Sequence, residues 1–162
     1  MSIEKVRAYF SRWNKDKDII EMGISTATVE LAAAALGVIP ARIAKSISLK
    51  NGMDNSSAVM VITAGDMKLD NRKFKDHFNF KPKMLNPEEV IQYTGHIIGG
   101  VCPFALPQGV EVYLDNSMKR FETIFPACGS GNSAIELSPA ELEEYSQNKG
   151  WVDVCVSNIN AG

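Results

Sequence analysis

Apolar residues recur at helical spacing at the start of the chain, where Val6, Phe10 and Trp13 share one face and predict an amphipathic helix over residues 3–13. Ile19-Ile20-Glu21-Met22 reads as a short strand. Ser25 or Thr26 then stands where a helix cap belongs, ahead of Leu31-Ala32-Ala33-Ala34-Ala35-Leu36, and Gly37 closes that helix. The four alanines suit close packing on a sheet. Residues 43–49 and 58–63 predict strands joined by a turn around Asn51-Gly52. A charged stretch at 65–80 keeps Leu69, Phe74 and Phe78 as apolar contacts and predicts a helix. Met84-Leu85 is a short strand. Asn86-Pro87-Glu88-Glu89 then supplies a cap, a first-turn proline and acids matched to the helix dipole.

Further strands are predicted at 110–114, 122–126, 134–137 and 151–156, with a capping-box helix opening at Ser138-Pro139-Ala140-Glu141. Residues 157–162 read as a loose tail. Strands and helices mix without a regular βαβ rhythm. That predicts an α+β fold with a curved, mostly antiparallel mixed sheet. At 162 residues, without repeats or long linkers, the expectation is one domain.

Composition narrows the class. Hydrophobic residues make up 45% and charged residues 22%, ordinary for a globular chain, and no apolar run approaches a membrane span. The first residues lack a secretory layout, so a cytoplasmic chain is expected. Three cysteines at wide spacings suggest neither a disulfide framework nor a zinc knuckle, and two histidines make a histidine-rich metal site unexpected. The net charge of −2 is uneven. Residues 41–83 carry nine bases against four acids, whereas residues 84–162 carry three bases against ten acids. A basic middle is either a footprint for a polyanion or a solvated face.

The standard catalytic motifs are missing: no G-x-S-x-G elbow, P-loop, G-x-G-x-x-G or H-E-x-x-H occurs. What stands out is Gly99-Gly100-Val101-Cys102-Pro103-Phe104, following Thr94-Gly95. Paired glycines let a backbone bend sharply and bring bare amides close to a polar group, and the proline stops a helix from forming. Such a loop suits a carbonyl or developing oxyanion; it also suits a plain tight turn. Lys45, entering an apolar strand, either snorkels to the rim or points into a pocket as a cation. Cys102 is a candidate nucleophile with His96 nearest in sequence, or a small lining residue. Asp115 either supports a site or caps the turn Asn116-Ser117-Met118. Thr28 faces a pocket or caps a helix, and Gly65-Asp66-Met67-Lys68-Leu69-Asp70 is a turn or a basic edge.

Together these segments resemble the YbaK/prolyl-tRNA synthetase-associated domain family, free-standing aminoacyl-tRNA deacylases related to the editing domain of bacterial prolyl-tRNA synthetases. Four blocks carry the likeness across residues 19–156. They are Leu36-Gly37-Val38 with Lys45-Ser46-Ile47; Gly65-Asp66-Met67-Lys68-Leu69-Asp70; Thr94-Gly95 with the glycine loop; and Val112-Tyr113-Leu114-Asp115 with Ile135-Glu136-Leu137-Ser138.

The resemblance implies a half-open, barrel-like sheet and a hydrolase without metal or other cofactor. Its substrate would be the ester between a wrong amino acid and the terminal adenosine of tRNA. Lys45 matches the family's important lysine, and Gly99 to Pro103 match the G-x-x-x-P loop whose amides, Gly100 included, hold the aminoacyl group. Val101, Cys102, Pro103, Phe104, Thr28, Ser46 and Asp115 would border the substrate. Water helped by a ribose hydroxyl would do the cutting. Two positions depart from the family members that remove cysteine. Cys102 replaces a serine, and Gly129-Ser130-Gly131-Asn132 replaces a Gly-Lys-Arg-Gly-like turn. Basic contacts to tRNA are therefore expected at Lys68, Arg72, Lys73 and Lys75, and small residues such as Ala, Ser, Thr or Cys are the expected acyl groups. A synthetase is a possible further partner. The alternatives are a non-catalytic module that binds an aminoacyl or nucleotide group, and a Cys102-dependent esterase.

Overall fold

The computed structural model describes residues 2–158. The chain runs α1 (Ser2–Ser11), β1 (Ile20–Glu21), α2 (Val29–Leu36), β2 (Ile43–Lys50), β3 (Ala58–Ala64), β4 (Met67–Leu69), α3 (Asn71–Phe78) and α4 (Pro87–Thr94). It continues through β5 (Glu111–Asp115), β6 (Phe125–Pro126), β7 (Ser133–Ala134), α5 (Pro139–Tyr145), β8 (Asn148–Val152) and β9 (Cys155–Ser157). Five strands curl into a half-barrel in the order β6-β2-β3-β5-β8, and β1–β7 and β4–β9 add two small ladders. The class is the expected α+β.

Strand direction differs from the sequence expectation. In the main sheet only β2–β3 is antiparallel, while β2–β6, β3–β5 and β5–β8 are parallel. The reason is connection length. Only the link at 51–57 is short enough for a hairpin, and every other neighbour returns after a long excursion, as parallel pairing requires.

The sheet buries both faces. Ala44, Met60, Ile62 and Leu114 pack with Phe10 of α1, Phe104, and Leu142 of α5. Leu49, Val59 and Val61 on the other face meet Phe74 of α3, Val152 and Val154. Truncating a fully buried Phe such as Phe10 or Phe74 to Ala costs about 3–5 kcal/mol.

Local signals set most boundaries. Asn86 and Ser138 form complete capping boxes, and Gly37 ends α2 in the left-handed region at φ 69°. Three segments differ. The α2 cap is Thr28, whose hydroxyl accepts from Leu31 N–H, rather than Ser25 or Thr26. The stretch at 65–80 opens as strand β4 before Asp70 caps α3. The last predicted strand is two, because the Asp115 carboxylate takes the Val154 N–H (3.0 Å) and turns the chain from β8 beside β5 to β9 beside β4. The predicted loose tail begins in β9, and residues 159–162 lie outside those described.

Gly65 sits between β3 and β4 where the Pro40 carbonyl and Val29 Cγ1 leave no room for a Cβ. This close approach seats the start of α2 against the sheet. Gly65→Ala is expected to destabilise by about 1–3 kcal/mol, read as a lowered urea midpoint, since a backbone oxygen yields less readily than a side chain.

Candidate active site

On the side away from β3, strand β2 is paired only at its two ends. Ile43 and Ala44 pair with β6, while Ser48 to Lys50 bond to residues 83–85. Residues 45–47 have no strand partner on that side among the described residues. A cleft of about 310 Å³ opens there, between the start of α2, the 98–101 loop and the β6–β7 region. Its wall is mainly apolar, with Ala27, Ala32, Val90, Val101, Phe125 and Ala134 among its members.

Lys45, Ser46, Thr28, Gly99 and Val101 all border this cleft. Adjacent strand residues project to opposite faces. Lys45 is in register with Thr63 and lies on the face of Ile47 and Leu49, whereas Ser46 and Ser48 share the face of Ala44. Lys45 counts among the residues that border the cleft, and its ammonium lies within electrostatic reach of Cys155, Glu30 and Asp66. Burial pushes its ammonium below the usual lysine range, partly offset by Cys155, Glu30 and Asp66. It forms no ion pair with any described residue. Thr28 borders the cleft and caps α2 at once.

The glycine loop divides its labour. Gly99 has φ 93°, and its N–H and that of Val101 meet no acceptor among the described residues. A Cβ at Gly99 would come within 2.9 Å of Ala27 Cβ. Gly100 behaves differently from expectation. Its N–H closes the turn onto the Ile97 carbonyl (3.0 Å), and it is absent from the cleft wall. It is needed because the Gly129–Ser130 backbone lies against it, within 2.6–2.8 Å of where a Cβ would stand. The turn at 129–132 also accepts the N–H of Met22 and of Thr26 (both 2.7 Å), tying three loops together.

Cys102, Pro103, Phe104 and Asp115 lie outside the cleft, against expectation. Cys102 is fully buried, and burial raises its thiol to about 12. His96 Nε2 lies 3.6 Å from the Cys102 sulfur, but that nitrogen carries the proton shared with the Phe104 carbonyl and has no lone pair to take the thiol's. With Nε2 donating to the Phe104 carbonyl (2.8 Å), the ring's Nδ1 accepts from the Ser2 hydroxyl. The ring is thus a brace across the loop, and burial lowers its basicity. Phe104 is locked in the core by Phe10, ring centroids 4.6 Å apart. Asp115, 2% exposed, is consumed by the N–H groups of Val154 and Ser117.

The four expected polyanion contacts lie on β4 and α3, and none borders the cleft. Lys68, Arg72 and Lys75 are exposed, whereas Lys73 is held by Asp153 (3.0 Å) and the Cys155 carbonyl (3.2 Å). Sequence reading missed Thr26 and Ser48, which also border the cleft. The available signal was serine at alternate positions 46 and 48 of an otherwise apolar strand. Met84 and Ile98 form an apolar mouth, 60% and 59% exposed. Among the described residues no helix is long and apolar enough to cross a membrane, and no three His, Cys, Asp or Glu stand grouped to hold a metal ion.

Residues 25–145 match the model of the aminoacyl-tRNA editing domain. The chain belongs to that family. As an editing domain it is 53% identical to the Bacillus subtilis (strain 168) "Uncharacterized protein YwhH" over 96% of this chain and 98% of that one. It is 31% identical to the proline–tRNA ligase of Bacillus licheniformis over 80% of this chain, which spans only 22% of the ligase. Among solved structures, "Crystal structure of a putative trans-editing enzyme for prolyl tRNA synthetase" superposes with TM-score 0.85 at 24% identity, covering 96% and 98% of the two chains. "Hypothetical protein APE2540" superposes with TM-score 0.79 at 27% identity, covering 91% and 99%.

A protonated, sequestered thiol is no nucleophile. Cys102→Ala is expected to keep any hydrolytic rate within about twofold while lowering stability by roughly 1 kcal/mol. Loss of the rate without loss of fold would restore the cysteine to the chemistry.

Proposed function

We propose that this editing domain works in trans, in the cytoplasm, hydrolysing the ester of a small mischarged amino acid on the 3′-terminal adenosine of tRNA. One observation carries the reading. The cleft of an editing-family chain is bordered by Gly99 and Val101, whose N–H groups meet no acceptor among the described residues, and by Lys45, with no His, Cys, Asp or Glu in its wall. Ser46 is no nucleophile activated by Lys45, since the two project from opposite faces of β2.

That inventory suits a substrate already activated. Positioning and stabilisation of the oxyanion supply most of what an aminoacyl ester needs. Water attacks the carbonyl carbon, and the resulting oxyanion is met by the Gly99 and Val101 N–H groups and by Lys45. The bond to the ribose 3′ oxygen then breaks. The proton lost by water, relayed through the neighbouring ribose hydroxyl, ends on that oxygen. The scheme calls on no metal or cofactor. A small apolar cleft selects by size, which favours Ala, Ser, Thr or Cys as the acyl group. Lys68, Arg72 and Lys75, with Lys73 partly engaged, offer charge to the tRNA backbone, and a prolyl-tRNA synthetase is a natural companion given the ligase relatives.

A panel of Ala-, Ser-, Thr-, Cys- and Pro-charged tRNAs incubated with pure protein tests the reading. At least one small acyl ester should be cleaved well above the buffer rate; if none is, the cleft belongs to a non-catalytic binding module. Lys45→Ala should lower kcat/KM about 100-fold or more with the melting temperature unchanged. Because the ammonium is the working form, activity should fall as pH rises, with a midpoint below the ordinary lysine range. Lys45→Arg should remove that alkaline limb wherever it retains activity. Neutralising Lys68, Arg72 and Lys75 together should flatten the plot of log affinity against log salt by about 0.7–0.9 per lost phosphate contact. An unchanged slope would move the tRNA path to another face.

A further inference from the structure

Helix α1 precedes residues 25–145, the segment that matches the editing-domain model, yet it touches the loop that borders the cleft. Ser2, Val6 and Phe10 follow one another at intervals of four and so share one face of the helix. Val6 and Phe10 are fully buried and fix the helix in the core. At one end of that face the Ser2 hydroxyl meets His96 Nδ1. At the other, two turns and about 12 Å along, the Phe10 ring packs on Phe104 with centroids 4.6 Å apart. His96 and Phe104 are the two ends of the glycine loop, and His96 Nε2 joins them through the Phe104 carbonyl (2.8 Å). A single helix face therefore holds both ends of the loop.

A second route runs from Ser2 to the same loop. Gly129 has φ 95°, and a Cβ there would stand 2.8 Å from the Ser2 backbone and from Ser2 Oγ. The Gly129–Ser130 backbone in turn lies against Gly100. Such support matters because a loop with uncommitted donors lacks the hydrogen bonds that would otherwise hold it. Gly99 and Val101 N–H meet no acceptor among the described residues, and only Gly100 N–H closes the turn. The chemistry of Ser2 is also specific. Its hydroxyl donates to Nδ1, which leaves the ring proton on Nε2, aimed at the Phe104 carbonyl. His96 is 1% exposed, so an apolar residue in place of Ser2 would strand a buried acceptor. The backbone of His96 is fixed separately, its N–H donating to Thr94 Oγ1 (3.1 Å) at the end of α4.

We propose that α1 is a splint for the glycine loop, with Ser2 and His96 as positioning residues that hold the Gly99 and Val101 N–H groups in place for the oxyanion. The proposal rests on the deacylase reading of the cleft and deepens it. Neither Ser2 nor His96 borders the cleft, so both act through the loop and not on the substrate. Donors aimed in advance need no reorganisation when charge develops on the carbonyl oxygen. That charge exists only in the transition state, so a loosened loop lowers kcat and leaves KM nearly alone.

The test pairs backbone 15N relaxation of the intact protein with kinetics on whichever charged tRNA of the panel is cleaved fastest. Order parameters at Gly99 and Val101 should be near 0.85 in the wild type and fall to about 0.6 in Ser2→Ala and His96→Leu, while those of β2 and β3 hold. In the same two variants kcat should drop about tenfold or more with KM within about twofold. His96→Gln keeps an N–H donor for the Phe104 carbonyl and should retain both properties. If His96→Leu does not fold, Ser2→Ala and His96→Gln decide. An unchanged loop or an unchanged kcat in Ser2→Ala overturns the proposal, as does loss of order throughout the sheet, which would make Ser2 a general support of the fold. A wild type that cleaves no ester, with a loop that loosens in Ser2→Ala, removes the hydrolase reading and leaves α1 as the support of a binding loop. Turnover with a loop indifferent to Ser2 does the reverse, and the absence of both effects removes both readings.

Discussion

The site exists because one strand is denied a neighbour along part of its edge. A strand of eight residues normally satisfies its outward N–H and C=O groups along its whole length. Here β6 covers one end of β2, and residues 83–85 cover the other. The gap of three residues leaves main-chain polar groups beside a cavity near one edge of the half-barrel. Everything assigned to the cleft follows from that gap, which Lys45 and Ser46 border from opposite faces of β2.

The opposite wall depends on backbones meeting without side chains between them. Gly100 lies on the Gly129–Ser130 backbone, while the 129–132 turn binds the segment that leads into α2. His96 closes the same loop from behind by bonding to the Phe104 carbonyl. With these restraints in place, Gly99 and Val101 keep their amides uncommitted. The donors are preorganised by contacts that never touch a ligand, which is how oriented dipoles become effective in a site sheltered from water.

How much of this could be read from the sequence depended on whether the cause was local. Asn86, Ser138 and Gly37 announced their helix ends because a cap is settled within four residues. Ser25, Thr26 and Thr28 offered three equivalent hydroxyls for one cap, and the Thr26–Gly131 contact decided among them from more than 100 residues away. Strand direction was equally non-local. In the site, a cation in an apolar strand and a glycine turn drew attention to Lys45 and Gly99, while Val101 was singled out only through the family resemblance; all three border the cleft. Cys102 and Phe104 lie in the core because the loop leaves the cleft after Val101, a course set by distant packing such as the ring of Phe10 on Phe104.

The exposed mouth of the cleft has a thermodynamic corollary. Met84 and Ile98 present apolar surface that any occupant of the cleft must cover. Attraction to phosphates weakens as counterions crowd the solution, whereas burial of hydrocarbon is strengthened by strongly hydrated anions such as sulfate. On the proposed reading, recognition would have two components with opposite responses to such salts: long-range capture of a polyanion fades with ionic strength, and the grip on its terminal residue persists. A short acylated fragment, stripped of most of its phosphates, would still be held.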